Sequence, residues 1–509
     1  MIKTIVWFLG ALFVQRAFAV NTQVFDTTSG PVEGTVKEAT PNVAQYLGIP
    51  FAEPPVGARR WLPAVKKVRK NMTIDATELG LACPQFQADK TVAPNLFLMD
   101  VPEFTISPKK YQSEDCLTLA IWSPLKSSQI RYNKTELLPV IVWLYGGAFV
   151  EGGGTVPYQD PSTWVERSGR HIVVGLNYRV NIFGFPNAAG LKQDEQNLGL
   201  LDQRLGLEWV RDNIANFGGD RDRITLWGQS AGAISVDNYN FAHADDPIVS
   251  GLIMNSGTSQ LLLVNPDIDH TNFSTVADHF GCIDSDGVAE LDCMRGIDAA
   301  SITSFLKQRT DEGGPSLAFY PVVDNRTQLA DYTSPAQAGA FSKVPAIIGT
   351  TTDEGVAFMP YDRINGVNVT EAAASTNAFF LCPAVKTTQE RYAANATTFR
   401  HLYGGNFSNV APLWWQGAYH SSDLPLIFGT YGIARGKGSE FQGRVSQMMQ
   451  DFWVAFAEDP VKGLPKLGWA SYQRNGTSVV FGMGERAVQT VKQTELDAPC
   501  AVSDHLPLR

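Results

Sequence analysis

Ser230 is the residue of this chain whose setting points most directly to chemistry. It stands at the centre of Gly228-Gln-Ser-Ala-Gly232, after the β-branched and apolar residues 224–227 and before a segment that favours a helix. Glycines two positions before and after the serine allow a sharp strand-to-helix turn, which lifts the hydroxyl out of a sheet toward a substrate. The N-terminus of the following helix offers N–H groups to a developing oxyanion. The motif also occurs by chance in long chains, but this context favours a nucleophilic serine.

A nucleophilic serine needs a histidine base, and the chain has seven histidines. With this motif the order along the chain is serine, acid, histidine. Position excludes five histidines that precede the serine, follow it too closely or lie near the C-terminus: His171, His243, His270, His279 and His505. His401 lies in a stretch that reads as helical, whereas small and turn-forming residues surround His420. We therefore favour His420, on an ordered loop, as the base.

The acid that orients the histidine should lie after a strand, between the serine and the histidine. Glu354 meets this condition, because it follows the apolar segment 344–349 and the threonines after it. Asp353 stands beside it, and periodicity alone does not choose between the two carboxylates. Either one could also be an ordinary solvated loop residue.

The oxyanion that forms during acyl transfer needs backbone N–H donors close to the serine. Gly146-Gly147-Ala148 follows a buried strand, and glycines without side chains let a substrate approach the backbone closely. A glycine pair in this position is often only a turn. With Ser230 in the same chain, we favour the oxyanion-hole interpretation.

The elements that must position these residues alternate between strands and helices. Buried strands are predicted over 139–145, 171–176 and 344–349, and a helix over 205–214. A later helix is predicted to pack one face into the core: Val445, Met448, Met449, Phe452 and Phe456. This alternation indicates an α/β fold with a mostly parallel, doubly wound sheet. No repeat or Pro/Gly/Ser linker divides the chain, so we expect one domain over residues 20–509.

The N-terminus predicts export. Residues 1–19 combine Lys3, an apolar stretch over 5–14 and an Ala17-Phe-Ala19 cleavage site, as in a signal peptide. No second apolar span follows, so we expect no integral membrane segment after its removal. Eight glycosylation sequons fit a secreted glycoprotein, although some will be chance matches: Asn71, Asn133, Asn272, Asn325, Asn368, Asn395, Asn406 and Asn475.

Composition narrows the choice of partners. The 509 residues are 44% apolar and 18% charged, which is enough for a large core. The net charge of −10 argues against nucleic acid and anionic membranes as partners. No histidine, cysteine and carboxylate cluster has metal-ligand spacing, so neither a metal nor another cofactor is expected.

Six cysteines in an exported chain suggest three disulfides, for which fifteen pairings exist. Cys282 and Cys293 are close enough in sequence to close a small loop. Cys83 and Cys116 bracket a segment rich in apolar residues and proline. An apolar loop fastened at its base suits a lid over an active site, and a stabilised surface loop is the alternative.

A series of motifs, in one order, resembles the type-B carboxylesterases of the cholinesterase and lipase family, within the α/β-hydrolase fold. The resemblance runs from about residue 30 to the C-terminus. Its motifs are Gly48-Ile-Pro-Phe-Ala-Glu-Pro-Pro-Val-Gly57, Ser113-Glu-Asp-Cys-Leu117, Trp143-Leu-Tyr-Gly-Gly-Ala-Phe149, Asn197-Leu-Gly-Leu-Leu-Asp-Gln203, Asn216-Phe-Gly-Gly-Asp220 and Gly228-Gln-Ser-Ala-Gly232. The family fold implies a mostly parallel central sheet with helices on both faces and long insertions.

The resemblance also implies roles for individual residues. Ser230 corresponds to the nucleophile, Glu354 to the acid and His420 to the base, and the family motif favours Glu354 over Asp353. The implied oxyanion donors are the N–H groups of Gly146, Gly147 and Ala231. The implied disulfides are Cys83–Cys116, Cys282–Cys293 and Cys382–Cys500.

The function implied by the resemblance is that of a secreted carboxylic ester hydrolase, acting on a small-molecule or lipid ester through an acyl-enzyme. The alternatives are a lipase for long-chain esters, an acyltransferase or tailoring esterase of secondary metabolism, and a non-catalytic binding protein. Because all three catalytic positions are filled, we disfavour the binding protein. No tryptophan lies between Cys83 and Cys116, which argues against choline esters as special substrates. Gln229 and Asp246-Pro247 resemble secreted fungal members of the family.

Overall fold

The strands of the protein assemble mainly into one mixed sheet. The structure is a computed structural model and describes residues 20–89, 96–106, 108–125 and 137–500. The strands, in chain order, are β1 Val20–Asn21, β2 Phe25–Thr27, β3 Gly30–Glu33, β4 Thr35–Val36, β5 Val43–Pro50, β6 Ile74–Asp75, β7 Thr118–Pro124, β8 Leu138–Leu144, β9 Ile172–Leu176, β10 Gly219–Gln229, β11 Gly251–Asn255, β12 Ala346–Thr351, β13 Tyr361–Asp362, β14 Gly366–Val367, β15 Thr398–Tyr403, β16 Thr477–Phe481 and β17 Val488–Lys492.

The central sheet has the order β1-β4-β5-β7-β9-β8-β10-β11-β12-β15-β16-β17. From β9 to β16 neighbouring strands run parallel, and the strands outside this block pair antiparallel. In the middle of the sheet, Trp227 of β10 lies opposite Trp143 of β8 and Ile253 of β11. The carboxyl ends of β8, β10 and β12 therefore meet at one edge, where ligands bind in open parallel sheets.

Helices connect and flank these strands. The α-helices are α1 Leu96–Met99, α2 Ser162–Ser168, α3 Asn181–Gly184, α4 Leu198–Asn213, α5 Ala231–Ala242, α6 Thr271–His279, α7 Gly287–Arg295, α8 Ala299–Asp311, α9 Thr333–Gln337, α10 Val369–Ser375, α11 Cys382–Ala393, α12 Leu424–Phe428, α13 Glu440–Glu458, α14 Gly463–Lys466 and α15 Gln493–Asp497. Short 3₁₀ turns include Pro102–Phe104 and Glu354–Phe358. Within the described residues, no helix is both long and apolar enough to cross a bilayer.

The sheet is buried on both faces, and this explains its near-continuous apolar strands. Alternate residues of one strand enter separate cores: Val140 and Val142 pack on one side of β8, and Ile141 and Trp143 on the other. Helix α13 covers one face of the sheet, whereas α4 and α5 cover the opposite face. The structure thus has the α/β-hydrolase architecture that the sequence indicates.

The predicted strands and helices lie close to the observed ones, with two corrections. His401, which reads as helical, lies in β15 and is completely buried, with its ring against Trp453, Trp469 and Phe481. Met448 is 37% exposed, although Val445, Met449, Phe452 and Phe456 of the same helix are buried. Met448 therefore stands at the edge of the apolar stripe, beyond the core contact.

The described residues contain three disulfides, and their pairings are those that the family resemblance implies: Cys83–Cys116, Cys282–Cys293 and Cys382–Cys500. Most described sequon asparagines are exposed. Asn272 differs, since it is half-buried and its side-chain amide donates to the Ala318 carbonyl at 3.1 Å. The signal-peptide prediction, the sequon at Asn133 and the tail with His505 lie outside the described residues.

Candidate active site

Ser230 occupies the turn between β10 and α5. Its backbone angles, φ 56° and ψ −125°, lie in a region that residues with side chains rarely adopt. The Ser230 N–H donates to the Asn255 carbonyl at 2.9 Å, which ties the turn to β11. Tight packing explains the flanking glycines, because a Cβ on Gly232 would lie 2.1 Å from the Leu144 carbonyl oxygen. The local sequence thus holds the serine in a strained, fixed turn.

His420 and Glu354 form a buried hydrogen-bonded pair. The His420 Nδ1 atom lies 2.5 Å from Glu354 Oε2. His420 is 3% exposed and Glu354 is 0% exposed. The other carboxylate oxygen, Oε1, accepts the Thr351 N–H at 2.7 Å. Glu354 is therefore fixed at the carboxyl end of β12, where it can hold the proton of the imidazole on Nδ1.

The structure gives the neighbouring Asp353 a different position. Its carboxylate accepts the Ala418 N–H at 3.0 Å and the Thr352 hydroxyl at 2.6 Å. It therefore links the end of β12 to the loop that carries His420. Glu354 contacts the imidazole, and Asp353 fastens the loop around it.

Gln229 and Asp423 are two polar residues near the histidine that the sequence reasoning did not assign. The Gln229 side-chain Nε2 lies 3.0 Å from His420 Nε2, the nitrogen that faces away from Glu354. Asp423 accepts a hydrogen bond from Asn255 Nδ2 at 2.7 Å, and burial raises its pKa to about 6. Gln229 directly precedes Ser230 and Asp423 follows His420 by three positions, so proximity in sequence was the available signal.

A cavity of about 320 Å³ joins Ser230 and His420. Apolar and aromatic side chains form most of its wall, including three from the Cys83–Cys116 loop: Phe97, Phe104 and Ile106. The centroid of the Phe104 ring lies 4.8 Å from that of Tyr158, which also lines the cavity, so the two rings are in contact. The disulfide-closed loop therefore contributes part of the cavity wall.

The glycine loop after β8 forms another part of the same wall. Gly146, Gly147 and Ala148 all line the cavity beside Ser230. Their N–H groups donate to no other described residue, so they are available to a ligand. Ala231 is the first residue of α5 and directly follows the serine. The structure thus brings Gly146, Gly147 and Ala148 to the cavity that Ser230 lines, and Ala231 lies beside the serine at the start of α5.

The sheet, the serine turn and the buried Glu–His pair together define an α/β hydrolase. The sequence model of the carboxylesterase family matches residues 21–373 and 365–498. The chain therefore belongs to the carboxylesterase family, and it is a carboxylic ester hydrolase.

Curated relatives support this membership. The chain is 39% identical to a chlorogenic acid esterase of Aspergillus niger, over 97% of this chain and 99% of the relative. It is 40% identical to secreted lipase 5 of Gibberella zeae, over 87% and 86% of the two chains. A para-nitrobenzyl esterase of Bacillus subtilis is 29% identical, over 93% and 97%. These relatives are esterases and lipases by name, and the second is described as secreted.

Proposed function

We propose that this protein hydrolyses carboxylic esters through an acyl-enzyme, with Ser230 as nucleophile, His420 as base and Glu354 as the orienting acid. The observation that carries the proposal is the arrangement around the cavity. Ser230 and His420 line one wall, and Glu354 lies behind the histidine at 2.5 Å. A metal or other cofactor has no part in this chemistry.

In the first step, the Ser230 hydroxyl attacks the ester carbonyl and His420 Nε2 accepts its proton. The Gln229 amide contacts this nitrogen in the structure, so the serine must take its place before the transfer. Glu354 then stabilises the imidazolium through Nδ1, because the buried carboxylate and the cation are in direct contact.

The tetrahedral oxyanion would lie against the N–H groups of Gly146, Gly147 and Ala231. As the intermediate collapses, the ester C–O bond breaks and His420 gives the proton to the leaving alcohol. Water then attacks the acyl-enzyme with His420 again as base, and the carboxylic acid leaves. Each proton that the histidine accepts is returned, so the enzyme is unchanged.

The aromatic wall also favours a second candidate, lipase action on long-chain esters. Phe97 and Phe104 of the disulfide-closed loop present apolar surface to the cavity. A loop of this composition could open at a lipid surface, which would raise activity on aggregated substrate. Hydrolysis without such activation would favour an esterase for soluble esters.

Export is part of the proposal. The three disulfides suit an oxidising compartment, and one of the relatives, lipase 5 of Gibberella zeae, is named as secreted. We expect cleavage after Ala19. Sequencing the N-terminus of protein from culture medium should therefore give Val20 first, and an intact Met1 in secreted protein would contradict this.

A panel of p-nitrophenyl esters from acetate to palmitate tests the substrate class. Wild type should hydrolyse at least the shorter esters, and the Ser230→Ala variant should not. A rate jump at the concentration where a long-chain ester aggregates would indicate a lipase. Release of p-nitrophenol by both proteins at the same rate would refute Ser230 as nucleophile.

A further inference from the structure

Glu151 is an acidic residue of the cavity wall that the ester-cleavage mechanism does not use. It lies three positions after Ala148, in the loop whose glycines approach Ser230, and its N–H donates to the Gly147 carbonyl at 3.1 Å. The contact is so close that a Cβ on Gly147 would lie 2.2 Å from the Glu151 carbonyl oxygen and 3.2 Å from its Cγ. The backbone of the loop therefore fixes the start of the Glu151 side chain beside Gly147.

The Glu151 carboxyl has no hydrogen-bond or ion-pair partner among the described residues, and the residue is partly exposed in the wall of the cavity. Burial raises its pKa to about 7, and no neighbouring charge offsets the effect. Several buried acids of this chain are, by contrast, paired with a basic side chain: Glu354 with His420, Asp202 with Arg179 and Glu103 with Arg435. An unpaired carboxyl in a largely apolar cavity wall is only partly hydrated, so a ligand that hydrogen-bonds to it gains free energy there.

The surroundings of Glu151 indicate what could satisfy it. The Gln159 and Gln229 side chains in the same wall are already hydrogen-bonded, to Trp143 and His420. Phe97, Phe104 and Phe358 contribute aromatic surface. Among the described residues that line the cavity, Glu151 is the acidic one, and its carboxyl group remains free for a ligand.

We propose that Glu151 is a specificity-determining residue, which holds a hydroxyl group of the ester substrate by hydrogen bonding while the aromatic wall packs against the carbon skeleton. This rests on the proposed function, because the ester must lie at Ser230 for its hydroxyl to reach Glu151. The preferred substrates are then esters with an alcoholic or phenolic hydroxyl, in either the acyl or the alcohol part.

A hydroxyl suits this position better than a cation does. A carboxylate accepts a hydrogen bond from a hydroxyl, and a protonated carboxyl group both donates and accepts, so either form binds it. An ammonium group requires the ionised form, which burial disfavours at this site. The aromatic wall also leaves the rest of such a substrate in an apolar environment.

The test compares esters that differ by one hydroxyl. Ethyl 3-(4-hydroxyphenyl)propanoate is paired with ethyl 3-phenylpropanoate for the acyl part, and 4-hydroxybutyl acetate with butyl acetate for the alcohol part. The measured quantity is the kcat/KM ratio within each pair, for wild type, Glu151→Gln and Glu151→Leu. Glu485→Gln serves as the control, because Glu485 is an exposed acid.

Wild type should prefer the hydroxylated ester in at least one pair, and Glu151→Leu should lower that ratio by about tenfold, as expected for a lost hydrogen bond to a carboxyl group. Glu151→Gln should retain most of the preference, since an amide also donates and accepts. Glu485→Gln should match wild type. The pair that responds shows which part of the ester carries the hydroxyl.

Equal rates of wild type within both pairs would overturn the proposal, even if a Glu151 variant fails to fold. So would ratios that Glu151→Leu leaves unchanged, or a selective loss on acetylcholine relative to 3,3-dimethylbutyl acetate, which would indicate a cation site. If a Ser230→Ala variant still hydrolyses these esters, Ser230 is not the nucleophile. The kcat/KM ratios of the Glu151 variants would still test the hydroxyl preference separately.

Discussion

The Glu354→Gln variant tests the geometry of the buried pair most closely. The Thr351 N–H, 2.7 Å from Glu354 Oε1, requires an acceptor and therefore keeps the amide oxygen of a glutamine on that side. The amide nitrogen must then face His420 Nδ1, where the carboxylate oxygen lies at 2.5 Å. Two N–H donors cannot share this contact, so the imidazole proton moves to Nε2. The histidine can then no longer accept the proton of Ser230.

The expected loss follows from this tautomer change. The corresponding amide substitution in serine proteases lowers kcat by about 10⁴-fold, equivalent to roughly 5 kcal/mol in the activation barrier. Ser230→Ala should cost more, about 10⁶-fold, because it removes the nucleophile itself. The Glu354→Gln variant should fold normally, since the amide has nearly the same shape as the carboxylate. Circular dichroism and the thermal midpoint check this.

The assay is the kcat of wild type and variants on p-nitrophenyl acetate, with Asp353→Asn as the matched control. Asp353 contacts Ala418 and Thr352 and not the imidazole, and asparagine retains an acceptor oxygen. Its substitution should therefore cost far less than that of Glu354. A Glu354→Gln variant that keeps a tenth of the activity, while Asp353→Asn loses most of it, would show that the wrong acid has been assigned.

Three predictions concern stability. Gly232→Ala should abolish accumulation of folded protein in the medium, since its Cβ would meet backbone at 2.1 Å, whereas Gly154→Ala meets only ordinary contacts and should accumulate normally. Replacing Cys382 and Cys500 by serine opens a bridge between residues 118 positions apart, and should lower the free energy of unfolding by roughly 4 kcal/mol in urea titrations. Burial lowers the pKa of His401 to about 3, so the unfolded chain takes up the proton first. Stability should thus fall below about pH 6.5, by up to ~1.4 kcal/mol per pH unit, and His401→Leu should reduce that slope. A slope unchanged by the substitution would refute the assignment to His401.

Local patterns predicted much of the sheet because its strands are buried on both faces. Segments such as 139–145 read as uninterrupted apolar runs, and the observed β8 covers Leu138–Leu144. The serine turn was also predictable, since Gly228 packs against Gly232 within the motif itself, where a Cβ would lie 2.3 Å from the Gly232 carbonyl. The helical prediction around His401 was wrong, because Arg400 and His401 are two buried polar residues of β15 whose burial depends on packing from elsewhere in the chain.

The missing parts of the candidate site depend on contacts between distant segments. Gln229 reaches His420 across 191 positions, and Asn255 reaches Asp423 across 168. In the sequence, Glu151 resembles any other acidic loop residue. Only the structure shows that it lines the cavity and that its carboxyl group has no partner among the described residues. The spacing of residues in one sequence does not indicate which distant segments come into contact.

The most direct test of the account is whether acyl groups accumulate on Ser230 during turnover. Rapid mixing of wild type with excess p-nitrophenyl acetate should give a burst of p-nitrophenol close to one equivalent if deacylation limits the rate. Acid quenching followed by peptide mass spectrometry should then place an acetyl group on the peptide that contains Ser230, and on no peptide of Ser230→Ala. Steady hydrolysis by Ser230→Ala, or acetylation of another residue during turnover, would contradict the account.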